Sequence, residues 1–391
     1  MHDTTIGVRL SALPDLEELG RRWRQLETAA RPAYFLSWAW IGTWLARRPP
    51  GPEPWLLVAE QAGRTVGLGI VTRGEARLPG GARVRRLLLN DSGDFDYNLN
   101  PEYNGLLVEP GLKRAVARAV LGCLADTVPR WDELRLHGLD LADPLADPAL
   151  AREAGLAVEE LWRQPVPRVN LEALRRDGRP FLETLSPSTR ARLRRARRGY
   201  APRGELVLDQ AASREEAHEF FSGLKALHQV SWTRRGKPGS FHKRHWEPFH
   251  RALIDARFPA GEIQLLRLRA GRHVLGYLYN LVYEGHVHYI QSGLKQEADP
   301  HLKPGYLAHA LAVEHNLALG HRIYDFLAGE ARYKASLANE AGEMTWLRLH
   351  RPGPRARALE LARRLRRNLH RLAGPVSAFY RGADSQASRR A

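Results

Sequence analysis

HVHYIQSGLKQEADPHLKPGYLAHALAVEHNLALGHRIYDFLAG, residues 286–329, reads as a strand, a loop, a helix and a second strand, in that order. The first strand spans His286 to Leu294. The helix begins around Gly305 after a Pro-Gly turn, turns Leu307, Ala310, Leu311 and Leu317 inward, and stops at Gly320. Ile323, Tyr324, Phe326 and Leu327 then suit a buried strand. Gly329 breaks that run, and Glu330, Arg332, Tyr333 and Lys334 crowd the five residues that follow it. A core strand that runs straight into a charged and phenolic cluster is a candidate site.

Upstream, EIQLLRLRAGRHVLGYLYNLVY (262–283) reads as strand, Ala-Gly-Arg turn and strand. The same series occurs earlier. WLLVAEQAGRTVGLGIVT (55–72) carries another Ala-Gly-Arg turn, 208 residues before the second. VRRLLLN, KRAVARAVLGCLADTV and WDELRLHGL then supply strand, helix and strand. The order strand, turn, strand, strand, helix, strand thus appears twice, and predicts a duplicated α/β unit. Residues 14–30 and 33–48 read as helices before the first copy, and 205–260 as mostly helical before the second copy's hairpin.

The 391 residues suggest two domains, and 43% hydrophobic residues supply a core. No apolar stretch approaches the roughly 20 residues that span a bilayer. The N-terminal segment lacks the basic start and apolar run of a secretory signal, and Cys123 is the sole cysteine, so the expectation is a cytoplasmic protein. The net charge of +17 favours acidic partners: nucleic acid, anionic lipid, nucleotide phosphates or an acidic carrier protein. Only 7 of the 60 basic residues are lysines, Lys303 and Lys334 among them. In so Arg-rich a chain, a remaining lysine points to a need for a compact ammonium.

Three further features carry charge or metal-binding side chains. Six arginines fall within residues 190–198, and helical spacing places Arg190, Arg194, Arg197 and Arg198 largely on one side. Such a run is a solvated face or a receiver of phosphates. The tail RARALELARRLRRNLHRLAG carries an apolar stripe of Ala358, Leu361, Leu365, Leu369 and Leu372, for packing or for an anionic membrane surface. His286 and His288 share a strand face, and His242 lies near His245, but no cysteine or carboxylate stands at zinc-motif spacing, so no metal is expected. Asp91, Asp94 and Asp96 sit in a polar loop without the glycine and terminal glutamate of a calcium loop. Cys123 lies in an apolar helix and reads as core.

Five pieces in one order carry a resemblance over about 170–336: STRARLRRARR; LKALHQVSW followed by GKPGSF; the hairpin and strand RAGRHVLGYLYNLVYEGHVHYIQSGL; LKPGYLAHALAVEHNLALG; and YDFLAGEARYK. This region resembles the cellulose-biosynthesis-associated acetyltransferase family of the CelD/BcsL type. That family is a branch of the GNAT superfamily near the Fem aminoacyl transferases. PAYFLSWAWIGTWL also resembles the start of these proteins. The resemblance implies two tandem GNAT-like domains, each a mixed sheet flanked by helices, at 1–165 and 166–352, with a basic helical tail at 353–391. It implies an acyl-CoA held between splayed parallel strands, here 286–293 and 322–328. Gln291 and Gly293 fall on the first of these strands, and the phosphates would lie at Lys303, Pro304, Gly305 and Tyr306.

The loop has only Pro-Gly where GNAT enzymes carry a fuller glycine-rich phosphate motif. An acyl carrier protein or aminoacyl-tRNA therefore stays open as donor, and so does a non-catalytic chain that binds an acidic carrier or membrane through Arg190–Arg198 and the tail. The expected reaction moves an acyl group, acetyl first, to an amine or hydroxyl of a small molecule or glycan. Thioester chemistry asks only for alignment, proton removal and oxyanion stabilisation. Asp325 and Glu330 are the candidate bases. Tyr289 or Tyr333 would protonate the leaving thiolate, and Lys334 stands beside them. Arg190, Arg194 and Arg197 would meet substrate or phosphate. The first half would shape the acceptor cleft.

Overall fold

The computed structural model describes residues 5–48, 51–78, 81–93 and 99–372, with side chains of the last helix placed as far as Arg364. Two compact units divide the chain: residues 1–163 with 344–391, and residues 164–343. The sequence reading gave each domain one continuous run, with breaks at 165–166 and 352–353.

The first unit contains β1 (Gly7–Ala12), α1 (Leu16–Ala30), α2 (Trp38–Ala46), β2 (Trp55–Gln61), β3 (Arg64–Arg77), β4 (Arg83–Leu89), β5 (Leu107–Val108), α3 (Lys113–Asp126), β6 (Glu133–Asp140) and α4 (Pro148–Glu153). Asp15 caps α1 by accepting from the Glu18 amide at 2.8 Å, and Leu19, Trp23 and Leu26 turn inward at helical spacing. β1 to β4 pair antiparallel in order, and α3 carries the chain across to β6, which pairs parallel with β4.

β7 (Ala157–Asn170) starts in the first unit and ends in the second. After it come α5 (Leu171–Arg176), α6 (Phe181–Thr184), α7 (Pro187–Tyr200), β8 (Leu206–Gln210), α8 (Arg214–Arg234), α9 (Trp246–Arg257), β9 (Ile263–Ala270), β10 (His273–Tyr283), β11 (His286–Leu294), α10 (Pro304–Ala318), β12 (Ile323–Asp325) and α11 (Arg332–Leu337). β13 (Glu340–His350) leads back to the first unit, and α12 (Pro354–Leu372) ends the described chain. β8 to β11 pair antiparallel, α10 makes the crossover, and β12 pairs parallel with β11. Each unit thus repeats the other's strand order, as the two Ala-Gly-Arg hairpins suggest.

Each sheet is then closed by a strand from elsewhere in the sequence. In the first unit β6 pairs antiparallel with β13, and in the second β12 pairs antiparallel with the end of β7. The sequence reading contained neither closing strand, nor β1 or β8. β7 hides because Pro165 and Pro167 interrupt it, and proline inside a run argues against a strand. The second expected strand of the quoted stretch is also shorter than 322–328. Only Ile323 to Asp325 form strand, because Leu327 takes a left-handed φ of 58°.

The tail helix packs through a face other than the expected stripe. Leu359 is buried against Leu78 and Val84. Arg363 reaches Glu133 at 2.6 Å, and Arg355 pairs with Asp132. Ala358 faces out and Leu361 is 60% exposed, while the side chains of Leu365, Leu369 and Leu372 lie outside the described residues.

Candidate active site

β11 and β12 stay paired for three residues only: His286 with Ile323, Val287 with Tyr324, and His288 with Asp325. Past that point they part. Residues 289–294 keep β10 on one side and, among the described residues, gain no strand on the other. The chain after Asp325 follows β7 instead: Phe326 N–H donates to the Pro167 carbonyl at 3.1 Å, and Gly329 N–H to Pro165 at 3.0 Å. Those prolines have no N–H to return, so the ladder cannot continue regularly. The result is a wedge with a free strand edge, and β11 bulges at Ile290 on the way in, where the register shifts against Tyr279 and Asn280.

Asp325 lies on the face that α8 and α9 cover and is fully buried. One carboxylate oxygen accepts the Leu327 amide at 2.7 Å and so fixes the left-handed turn. The other meets His286 Nε2 at 3.1 Å, and the His286 ring stacks on His288 at 4.1 Å. His286 is the partly exposed member of the pair, with 22% of its side chain open. Asp325 therefore positions an imidazole, the arrangement by which a carboxylate sets a histidine's tautomer. Burial drives the His288 pKa down to about 3, so that ring is neutral. Glu330 lies exposed beyond the turn.

The opposite face holds phenols. Tyr289 donates to Ser292 Oγ at 2.8 Å, and Tyr306 Oη meets Ser336 Oγ at 2.9 Å. His309, from α10, sits among them: its ring lies 4.5 Å from Tyr289 and stacks on Tyr333 at 5.0 Å. Burial lowers its pKa to about 3. Burial also raises the pKa of Tyr289 and of Tyr333, so both hydroxyls hold their protons. Lys334 is buried too, and its ammonium donates to the Leu327 and Ala328 carbonyls at 3.1 and 2.9 Å. Lys334 clamps the turn that opens the wedge.

α10 begins where the wedge ends. Pro304 has no N–H, which leaves the amides of Gly305 and Tyr306 at the helix start, and Lys303 stands exposed at the cap. Gln291 donates to Ser240 Oγ at 3.0 Å, from the loop between α8 and α9. Gly293 has a packing role: a Cβ there would lie 2.1 Å from the Leu224 carbonyl of α8. Of the α7 arginines, Arg190 is spent on the Glu183 and Leu185 carbonyls at 3.0 and 2.8 Å, while Arg194 and Arg197 are exposed. Arg195, absent from the sequence candidates, approaches His301 Nδ1 at 3.3 Å, next to the α10 cap.

His309, Arg195 and the His286 role escaped sequence reasoning. A histidine among alanines on an inner helix face was the one available signal for His309. Among the described residues no group of three or more histidine, cysteine or acidic side chains could hold a metal. Asp94 and Asp96 lie outside the described residues, whereas Asp91 meets His137 Nδ1 at 2.7 Å in the first unit. Cys123 is only partly buried. A cavity of about 710 Å³ lies in the first unit, but its Glu160 is already matched by Arg163 and Thr345.

No curated protein sequence matches this chain. The family model for the acetyltransferase (GNAT) domain matches residues 187–335, the span that holds α7, the wedge and α10. Among solved structures, FemX is similar at 10% identity, covering 86% of this chain and 96% of its own, with a TM-score of 0.53. A conserved protein of unknown function from Bacteroides thetaiotaomicron VPI-5482 is similar at 12% identity, covering 88% and 100%, also at 0.53. At such identities the likeness is one of fold. The second of the two units of like topology therefore carries a GNAT-type acetyltransferase domain.

Proposed function

We propose that the chain is an acyltransferase that moves an acyl group, acetyl first, from a CoA-type thioester to an amine or hydroxyl, with a sugar or polysaccharide precursor of the CelD/BcsL kind as acceptor. The open wedge carries this reading. A pantetheine arm would lie along the free edge of 289–294, and its pyrophosphate would meet the Gly305 and Tyr306 amides and Lys303. The acceptor nucleophile adds to the thioester carbonyl, and edge amides at the Ile290 bulge hold the oxyanion. His286, oriented by Asp325, takes the nucleophile's proton. The C–S bond breaks, and Tyr333 or Tyr289 gives its proton to the thiolate. The test is titration of the full chain with acetyl-CoA, followed by thioester cleavage. Micromolar binding with slow cleavage is expected; no binding to a folded sample would remove the reading.

A second reading is transfer of an amino acid from aminoacyl-tRNA. The likeness to FemX and the +17 charge favour it. Competition between tRNA and acetyl-CoA for the same sample separates the two.

A further inference from the structure

The loop between α8 and α9, residues 235–245, lies beside the wedge and is strongly basic. Ser240 takes the Gln291 amide at 3.0 Å, and Gln296 reaches Ser231, on the last turns of α8, at 3.2 Å. Gln291 is on the part of β11 that has left β12, opposite Tyr279, whose ring meets Phe221 of α8 at 5.6 Å. The loop therefore covers the Asp325 face, not the face of α10 with its phosphate-ready amides.

The arginines of the neighbouring strands and turns are matched: Arg203 with Glu297, Arg267 and Arg269 with Asp209, Arg257 with Glu262. Arg234, Arg235, Lys237 and Arg244 are exposed and have no carboxylate within ion-pair distance among the described residues. Arg235 and Lys237 instead flank the half-buried Trp232, at 5.9 and 6.0 Å from its ring. Gly239, at φ 71°, brings the loop so close to His228 that a Cβ would lie 2.6 Å from its ring. His228 is 1% exposed, and its Nε2 has no hydrogen-bond partner. Unpaired cations gathered around an aromatic ring, on a loop tied to the reacting strand, form an anion subsite.

We propose that this loop binds a phosphate or diphosphate carried by the acceptor, with Arg235 and Lys237 as its ligands and Trp232 as its floor. The proposal rests on the acyltransferase reading above and names its acceptor class: an anionic, phosphate-bearing molecule. The same chemistry could come from the donor, whose own phosphates are also anionic, so the test has two arms.

Isothermal titration of the full chain with inorganic pyrophosphate is compared with titration by acetyl-CoA. The double variant Arg235→Ala, Lys237→Ala should lose about tenfold in pyrophosphate affinity, the scale of charge-assisted hydrogen bonds removed. Its acetyl-CoA affinity should change less than twofold. Removing two exposed charges elsewhere in the unit, Arg214→Ala with Arg272→Ala, should leave pyrophosphate affinity as it was. Unchanged pyrophosphate affinity in the first variant, an equal loss in the control, or no pyrophosphate binding by the parent chain would overturn the proposal. An equal loss of acetyl-CoA affinity would assign the loop to the donor and overturn it as well. Failure of the acyltransferase reading shows separately, as a parent chain that binds no thioester.

Discussion

The two units make the same three-residue parallel pair and then differ at the point where the strands part. In the second, β11 and the chain after β12 diverge and, among the described residues, no strand pairs with 289–294 on the side away from β10. In the first, β4 pairs with β6 through Arg86–Glu133, Leu87–Leu134 and Leu88–Arg135, and stops. β5 then takes its lane along β3, and Asn104 bridges to Leu139. Asn90 and Asn104, each 3% exposed, close the seam: Asn104 Nδ2 donates to the Leu89 carbonyl at 2.9 Å, and Asn90 Nδ2 donates to Gly105 O at 2.7 Å. Gly138 is part of this fit, because a Cβ there would lie 2.4 Å from the Pro101 carbonyl. One copy has filled its wedge with its own backbone; in the other, 289–294 has no strand beside it on the side away from β10 among the described residues. The proposed function puts the donor in the second unit, the one whose wedge is not filled.

The contrast can be tested by variants, from the largest expected effect down. Asp325→Asn should slow acyl transfer by about 100-fold or more while the protein stays folded, because the carboxylate sets the His286 tautomer. The acidic limb of the pH–rate profile should move with it, which a purely structural role would not produce; an unchanged profile and rate would remove the assignment. Asn104→Ala opens the first unit's seam and should cost about 2–3 kcal/mol of stability by orphaning the Asn90 and Leu89 groups. It should leave acetyl-CoA affinity within twofold, and a large gain in a second binding event would revise the contrast. Lys334→Ala strips the Leu327 and Ala328 carbonyls of their donor and should cost about 2 kcal/mol, with slower transfer. Denaturant midpoints and turnover on the same sample check both effects.

Acid should separate the units. His250, His288 and His309, all in the second unit, have pKa values lowered by burial to about 3, below the unfolded value of about 6.5. The unfolded chain binds more protons between those values, so stability falls as pH drops below about 6.5, by up to about 1.4 kcal/mol per pH unit for each histidine. In the first unit Asp132 and Glu133 have lowered pKa values: burial opposes the shift, and the surrounding arginines outweigh it. That stabilisation is full above the ordinary carboxylate range and is lost only below it. Amide exchange at pH 5 should therefore speed up in residues 164–343 before it does in the first unit.

Much of this was legible in the sequence. Hairpins and the crossover helix announce themselves by period and by Ala-Gly-Arg turns, so the duplication could be read, whereas the position of the wedge came from the family resemblance. The closing strands could not. Pro165 and Pro167 disguise β7, and strand pairing between residues more than 150 apart leaves no local trace, as Asp325 with Arg168 illustrates. Asp325, Tyr289 and Lys334 are buried around the point where β11 and β12 part, and nothing local in the sequence marks that burial. The sequence marks Lys334 as a candidate, but its two carbonyl partners appear only once Leu327 turns left-handed. Pro110 and Gly111 precede α3 much as Pro304 and Gly305 open α10, so a Pro-Gly turn alone does not tell the open unit from the filled one.

Amide hydrogen exchange with and without acetyl-CoA addresses the central claim most directly. Added acetyl-CoA should protect residues 289–294 and the amides of Gly305 and Tyr306, and leave 104–108 and 138–139 unchanged. Protection in the first unit's seam with none along 289–294, or none anywhere at saturating ligand, would contradict the assignment of the donor to the open wedge.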